Sequence, residues 1–202
     1  MNDQRLSIPR RVHLDFAIDT NRINARQKDP DMNLLEKWAA NGVIQLEIPQ
    51  AVAEECGVGI NVERRARKAM GYVTSITGGD KHPELQAIFP DWENDRHTIE
   101  LRSKIEMILF PGGTKNENER NDVRIVLAAA YYDRILITND GDSKTQPGGI
   151  LGGRDELAKI RVSVMRPSDA VLRVRKFVTD RDNLVLLANK AGAPIPEWFG
   201  ND

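Results

Sequence analysis

The stretch Ile135-Leu136-Ile137-Thr138-Asn139-Asp140-Gly141-Asp142 decides the fold. Three apolar residues end at a threonine, and two carboxylates follow in a polar, glycine-containing loop. A short apolar run bounded by turn residues is the pattern of a strand buried on both faces. Its last residues turn acidic where the strand leaves the core. Working outward, the question is whether the chain supplies partners for Asp140.

Upstream, Asn121, Asp122 and then Val123, Val126, Leu127, Ala130 and Tyr131 predict a helix that Asn121 caps, with Asp122 in its first turn. Ile125, Ala128 and Ala129 make that helix apolar nearly all round, so it is expected to be buried. A first-turn carboxylate is favoured by the helix dipole by about 0.3–1 kcal/mol. Near the start, Val12, Leu14, Phe16 and Ile18 alternate with polar or small residues, and this strand runs into Asp19-Thr20-Asn21. A helix over Asp31–Ala40 follows, with Asp31 as its N-cap and Gly42 as its stop. Then come a strand over Val43–Ile48 and a helix opened by Pro49 that carries Glu54 and Glu55.

Strand and helix alternate, which predicts an α/β fold: three layers, α/β/α, around a mostly parallel central sheet. Parallel strands put their carboxyl ends on one edge, where ligands bind in open α/β sheets. Asp19 and Asp140 are expected at that edge. Residues 57–110 form a helical insertion, with helices over Asn61–Thr77 and His97–Leu109. After Asp142 a glycine-rich loop leads to a short helix, Arg154–Ile160. A strand, Val162–Met165, and a helix from Ala170 to about Val178 follow, then a tail expected to pack loosely. The chain is expected to be one domain over residues 1–202.

Composition narrows the classes. The 202 residues hold 29 Lys+Arg and 30 Asp+Glu, a net charge of -1, so bulk charge points to no partner. Any nucleic-acid contact would rely on local patches. The single cysteine, Cys56, excludes an internal disulfide and fits a reducing compartment. No apolar run approaches the roughly 20 residues that span a bilayer. The first residues lack the apolar core of a signal peptide. These features predict a cytoplasmic protein without a membrane partner.

The acidic candidates are Asp19, Glu55, Asp122 and Asp140, with Asp142 behind them. Asp15 shares the parity of Asp19 and is an alternative for the first strand, as Glu54 is for Glu55. No spaced cysteines or histidines accompany them, which argues against zinc. Converging carboxylates need a hard divalent cation, and oxygen-only ligation suits Mg²⁺ or Mn²⁺. Such a site suits hydrolysis of a phosphodiester. The glycine-rich loop is neither a dinucleotide fingerprint nor an EF-hand.

Ile18-Asp19-Thr20-Asn21, Ile48-Pro49-Gln50-Ala51-Val52-Ala53-Glu54-Glu55, Asn121-Asp122 and Leu136-Ile137-Thr138-Asn139-Asp140 together resemble the successive motifs of PIN domains. Arg161–Asp169 is similar to the closing strand and helix of that family. The resemblance covers most of residues 11–178. It implies a metal-dependent nuclease acting on RNA, with Asp19, Glu55, Asp122 and Asp140 as ligands of Mg²⁺ or Mn²⁺ and Asp142 as an outer or second-metal ligand. Thr20, Asn21 and Thr138 would orient the carboxylates. Water would attack in line, leaving a 5′-phosphate and a 3′-hydroxyl. The resemblance further implies a toxin-like role with a protein inhibitor (an antitoxin) and a homodimer. Arg64, Arg65, Arg67 and Lys68 form a cationic run in the insertion that would contact RNA or merely face solvent. The competing expectation is a catalytically silent domain of the same fold that binds RNA or protein.

Overall fold

A computed structural model describes residues 8–19, 29–49, 51–52, 95–141 and 148–202. Four strands form one parallel sheet: β1 (Asp15–Ile18), β2 (Gln45–Glu47), β3 (Ile135–Ile137) and β4 (Val164–Met165). Their order across the sheet is β2-β1-β3-β4. The helices of the described residues are α1 (Pro30–Ala40), α2 (Arg96–Leu109), α3 (Glu117–Tyr131), α4 (Gly149–Gly152), α5 (Arg154–Lys159) and α6 (Pro167–Lys190).

This topology decides where the layers lie. The chain leaves β1 for one side to make β2, then crosses back to build β3 and β4 on the other. Right-handed crossovers therefore put α1 on one face of the sheet and α2 to α5 on the opposite face. The packing agrees: α6 lies against α1, while α2 lies against α3, α4 and α5. Helices cover both sides, so the architecture is the three-layer α/β/α sandwich expected from the alternation of elements. The strands read as apolar runs because both faces of the sheet are covered. Phe16, Ile18, Leu136 and Ile137 are fully inaccessible, and Leu46 nearly so.

Several boundaries differ from the sequence expectation. The N-cap of α1 is Asp29 rather than Asp31. Its carboxylate accepts from Asp31 N at 3.1 Å and from Met32 N at 3.2 Å, and Pro30 takes the first helical position. Helix α3 begins at Glu117, not beside Asn121. Asn116 caps it by accepting from Glu119 N at 2.9 Å, and Glu119 reaches back to Lys115 N at 2.5 Å. This reciprocal capping satisfies orphan donors that the apolar pattern further along could not reveal. Asp122 consequently sits in the second turn. The helix is otherwise as buried as its composition predicts, from Val123 through Ala129.

The last helix is far longer than expected. It runs to Lys190 because its buried stripe of Ala170, Val171 and Val174 continues through Arg181 and Val185. The tail is tied down rather than loosely packed. Arg181, 6% exposed, donates to Arg10 O at 2.5 Å and pairs with Asp182 and Asp202. Its guanidinium lies 4.5 Å from the ring centroid of Trp198. Among the described residues, no helix is long and apolar enough to cross a membrane. The part of the expected insertion over 57–94 lies outside the described residues; its final helix is α2.

Candidate metal and phosphate site at the carboxyl edge

The sheet order makes β1 and β3 neighbours although one leads to β2 and the other to β4. The crevice between their carboxyl ends is the topological switch point, where open α/β sheets bind ligands. Asp19 follows the last residue of β1, and Thr138 to Asp140 follow the last residue of β3. Asp19 N donates to Ile137 O at 3.1 Å, which extends the ladder one residue past each strand.

The side chains then meet. Thr138 is fully buried and Asp19 is 4% exposed. The Thr138 hydroxyl donates to Asp19 Oδ2 at 2.5 Å and accepts from Asp140 N at 2.9 Å. One hydroxyl thus fixes the orientation of the first carboxylate and the backbone of the second. Asp140 is held from the other side as well. Its Oδ2 accepts from Ile150 N at 2.8 Å, and its carbonyl accepts from Leu151 N at 2.8 Å.

That grip needs two glycines. Gly141 has φ +87 and Gly149 has φ +74. A Cβ on Gly141 would stand 1.7 Å from Gly148 O, and one on Gly149 would stand 2.5 Å from Asp140 Oδ2. The backbone crosses itself there, and only glycine fits both the conformation and the space. The glycine pairs were visible in the sequence. Their return onto Asp140 was not, because it depends on the path of the loop.

The alternative acid on β1 has other partners. Asp15 opens the strand, four residues and about 13 Å from Asp19 along its axis. Arg11 Nη2 donates to Asp15 Oδ1 at 2.5 Å, and Arg134 Nη1 lies 3.5 Å from Asp15 Oδ2. Arg134 also grips Glu47, at 2.8 Å through Nε and 3.1 Å through Nη2. Hydrogen bonding to Glu47 holds the Arg134 guanidinium above its ordinary pKa, so it stays cationic at any working pH. These charges bind β1, β2 and β3 together, with Asp15 and Arg134 at the amino ends of β1 and β3.

Asp122 is half-buried on α3. That helix runs antiparallel to β3, so its amino-terminal half lies toward the same edge as Asp19 and Asp140. Among the described residues, no three Asp, Glu, His or Cys side chains stand close enough together to hold a metal ion. The described structure brings Asp19, Thr138 and the Asp140 backbone together through the Thr138 hydroxyl. Glu54, Glu55, Asp142, Thr20, Asn21 and the run Arg64, Arg65, Arg67 and Lys68 lie outside the described residues.

The donor chemistry fits a hard cation. Asp19 and Asp140 offer oxygen alone, the donor type that Mg²⁺ and Mn²⁺ take. No protein-family model matches this chain, and no curated protein matches it either.

Proposed function

We propose that this protein is a Mg²⁺- or Mn²⁺-dependent endoribonuclease of the PIN type. The observation that carries the reading is the Thr138 bridge, which joins the Asp19 carboxylate to the Asp140 backbone at the switch point of a parallel sheet. Asp19 and Asp140 would hold the ion, with Glu55, Asp122 and Asp142 as the further carboxylates. When bound, the cation supplies a Lewis acid that activates water and offsets charge developing on the phosphate.

The chain's own groups do the rest. The Thr138 hydroxyl points Asp19 into the crevice and keeps its orientation through turnover. Ile150 N and Leu151 N hold Asp140 from behind, so neither carboxylate has to reorganise when substrate arrives. Asp19 is almost wholly buried, and a charge interaction made by a buried group is stronger than one made in water. A cytoplasmic location, a protein inhibitor and a homodimer belong to this same reading, through the PIN resemblance.

The test is cleavage of a mixed single-stranded RNA pool in Mn²⁺ or Mg²⁺, comparing wild type with Asp19→Asn and Asp140→Asn. Cleavage that EDTA stops and both variants lose is the expected result. Absence of both cleavage and Mn²⁺ binding by calorimetry would overturn it and leave a silent RNA- or protein-binding domain.

A further inference from the structure

The last helix carries a charged surface that its packing does not explain. Helix α6 starts just after the end of β4, at the carboxyl edge, and packs against α1. Its Ala170, Val171 and Val174 are buried. Between them stand Arg173, Arg175 and Lys176, all exposed. Ala170–Val178 holds these three cations and no acid. Leu172 and Phe177 lie among them, 65% and 38% exposed. Residues three or four apart are neighbours on a helix surface. Such steps link Arg175 to Leu172, Leu172 to Lys176, Lys176 to Arg173 and Arg173 to Phe177, so the five side chains form one patch. Arg173 lies six residues after Pro167, about 9 Å along the helix from its start at the edge.

The patch is not a salt-bridged helix face. Asp169 stands four residues before Arg173, and Asp180 four residues after Lys176, the spacing of helical ion pairs. Neither pair forms, and among the described residues the side chains of Arg173, Arg175 and Lys176 make no hydrogen bond or ion pair. On other helices such pairs do form: Arg96 with Glu100 at 3.1 Å, Arg120 with Glu117 at 2.8 Å and Lys159 with Glu156 at 2.5 Å. Like charges at helical spacing, as at Arg173 and Lys176, oppose one another. An anionic partner seated here would relieve that repulsion.

We propose that this patch is a track for single-stranded RNA leading to the carboxyl edge, with Arg173, Arg175 and Lys176 on phosphates and Phe177 against a base. The inference rests on the ribonuclease reading for the identity of the polyanion and adds a surface outside its carboxylate set. Charge selects the occupant. Three uncompensated cations attract a polyanion, whereas the same face of a second copy would meet them with like charge. The apolar members select an unpaired strand, whose bases are open to stacking on an aromatic ring; a duplex hides those faces. Contacts to phosphates and to base faces carry no sequence preference, so the track serves any single strand.

The experiment measures binding of a labelled single-stranded RNA by fluorescence anisotropy in EDTA, as a function of salt. It compares wild type with Phe177→Ala and with the triple variant Arg173→Gln, Arg175→Gln, Lys176→Gln. Cleavage kinetics in Mn²⁺, thermal midpoints and sedimentation are followed alongside. Each lost phosphate contact flattens the slope of log K against log salt by about 0.7, so the triple variant is expected to lose about 2 from the slope. Its KM is expected to rise more than tenfold, with a much smaller effect on kcat and an unchanged thermal midpoint. Phe177→Ala is expected to weaken binding about tenfold at every salt concentration and to keep the slope. A wild-type slope and KM in the triple variant would overturn the proposal, and the ribonuclease reading would stand if wild type cleaves. A dimer that Phe177→Ala dissociates without loss of RNA affinity would also overturn it and assign the face to a second copy. If wild type neither binds Mn²⁺ nor cleaves, the ribonuclease reading falls, and the salt slope of the triple variant still decides the role of the patch.

Discussion

The Thr138 hydroxyl lies 2.5 Å from Asp19 Oδ2, joining two strand ends that are 119 residues apart in sequence. Its proton goes to Asp19 and its lone pair accepts from Asp140 N. Thr138→Val keeps the volume and removes both bonds. A buried carboxylate and a backbone N–H are left without this partner, at a cost of about 1–3 kcal/mol in denaturant unfolding. Mn²⁺ affinity should fall about 10- to 100-fold, as it does when a group orienting a ligand is lost. Thr138→Ser should retain most of both. Equal behaviour of the two variants would show that the hydroxyl does not matter.

Gly149 and Gly192 separate backbone strain from crowding. Both have positive φ, +74 and +92, but a Cβ at Gly192 meets nothing within 4 Å. Gly192→Ala should cost only the left-handed penalty, about 1–2 kcal/mol. Gly149→Ala pays the same penalty and also drives a methyl into Asp140 Oδ2. The carboxylate must then turn away from Ile150 N, so Gly149→Ala should be the less stable variant and should bind Mn²⁺ more weakly. Calorimetric Mn²⁺ titration of both checks this. Wild-type affinity in Gly149→Ala would mean that the crossing does not position Asp140.

Glu47 is 2% exposed and meets Arg134 through two hydrogen bonds. Removing one partner of a buried pair typically costs 3–5 kcal/mol; Arg134 keeps some contact with water, so Glu47→Gln should cost about 3 kcal/mol. Hydrogen bonding to Glu47 raises the Arg134 pKa above its ordinary value in the folded protein. Its contribution to stability is therefore present below the unfolded value and is lost only as pH rises through the folded one. Over about pH 6 to 9, arginine ionisation gives the destabilisation no slope. Urea unfolding at several pH values checks both the size and the flatness.

Much of the fold was legible because burial leaves a strong periodic mark. The apolar cores of β1 and β3 and the stripes of α1 and α3 all lie where the sequence pattern puts them. Boundaries were less legible because caps and polar side chains set them. Asn116 and Glu119 start α3 five residues before the apolar pattern announces it. Arg181 carries α6 onward through a charged residue that a hydrophobic pattern counts as exposed.

By itself, the sequence determined the alternation of strands and helices, the parallel sheet that follows from it, and the two acids that end β1 and β3. Those features depend on local periodicity and residue type. Only the tertiary structure decided that β1 and β3 are neighbours, that Thr138 faces Asp19, and that the backbone returns across Gly141 and Gly149 to hold Asp140. Each depends on register between segments far apart in the chain. A one-residue slip would turn every such side chain to the other face of the sheet.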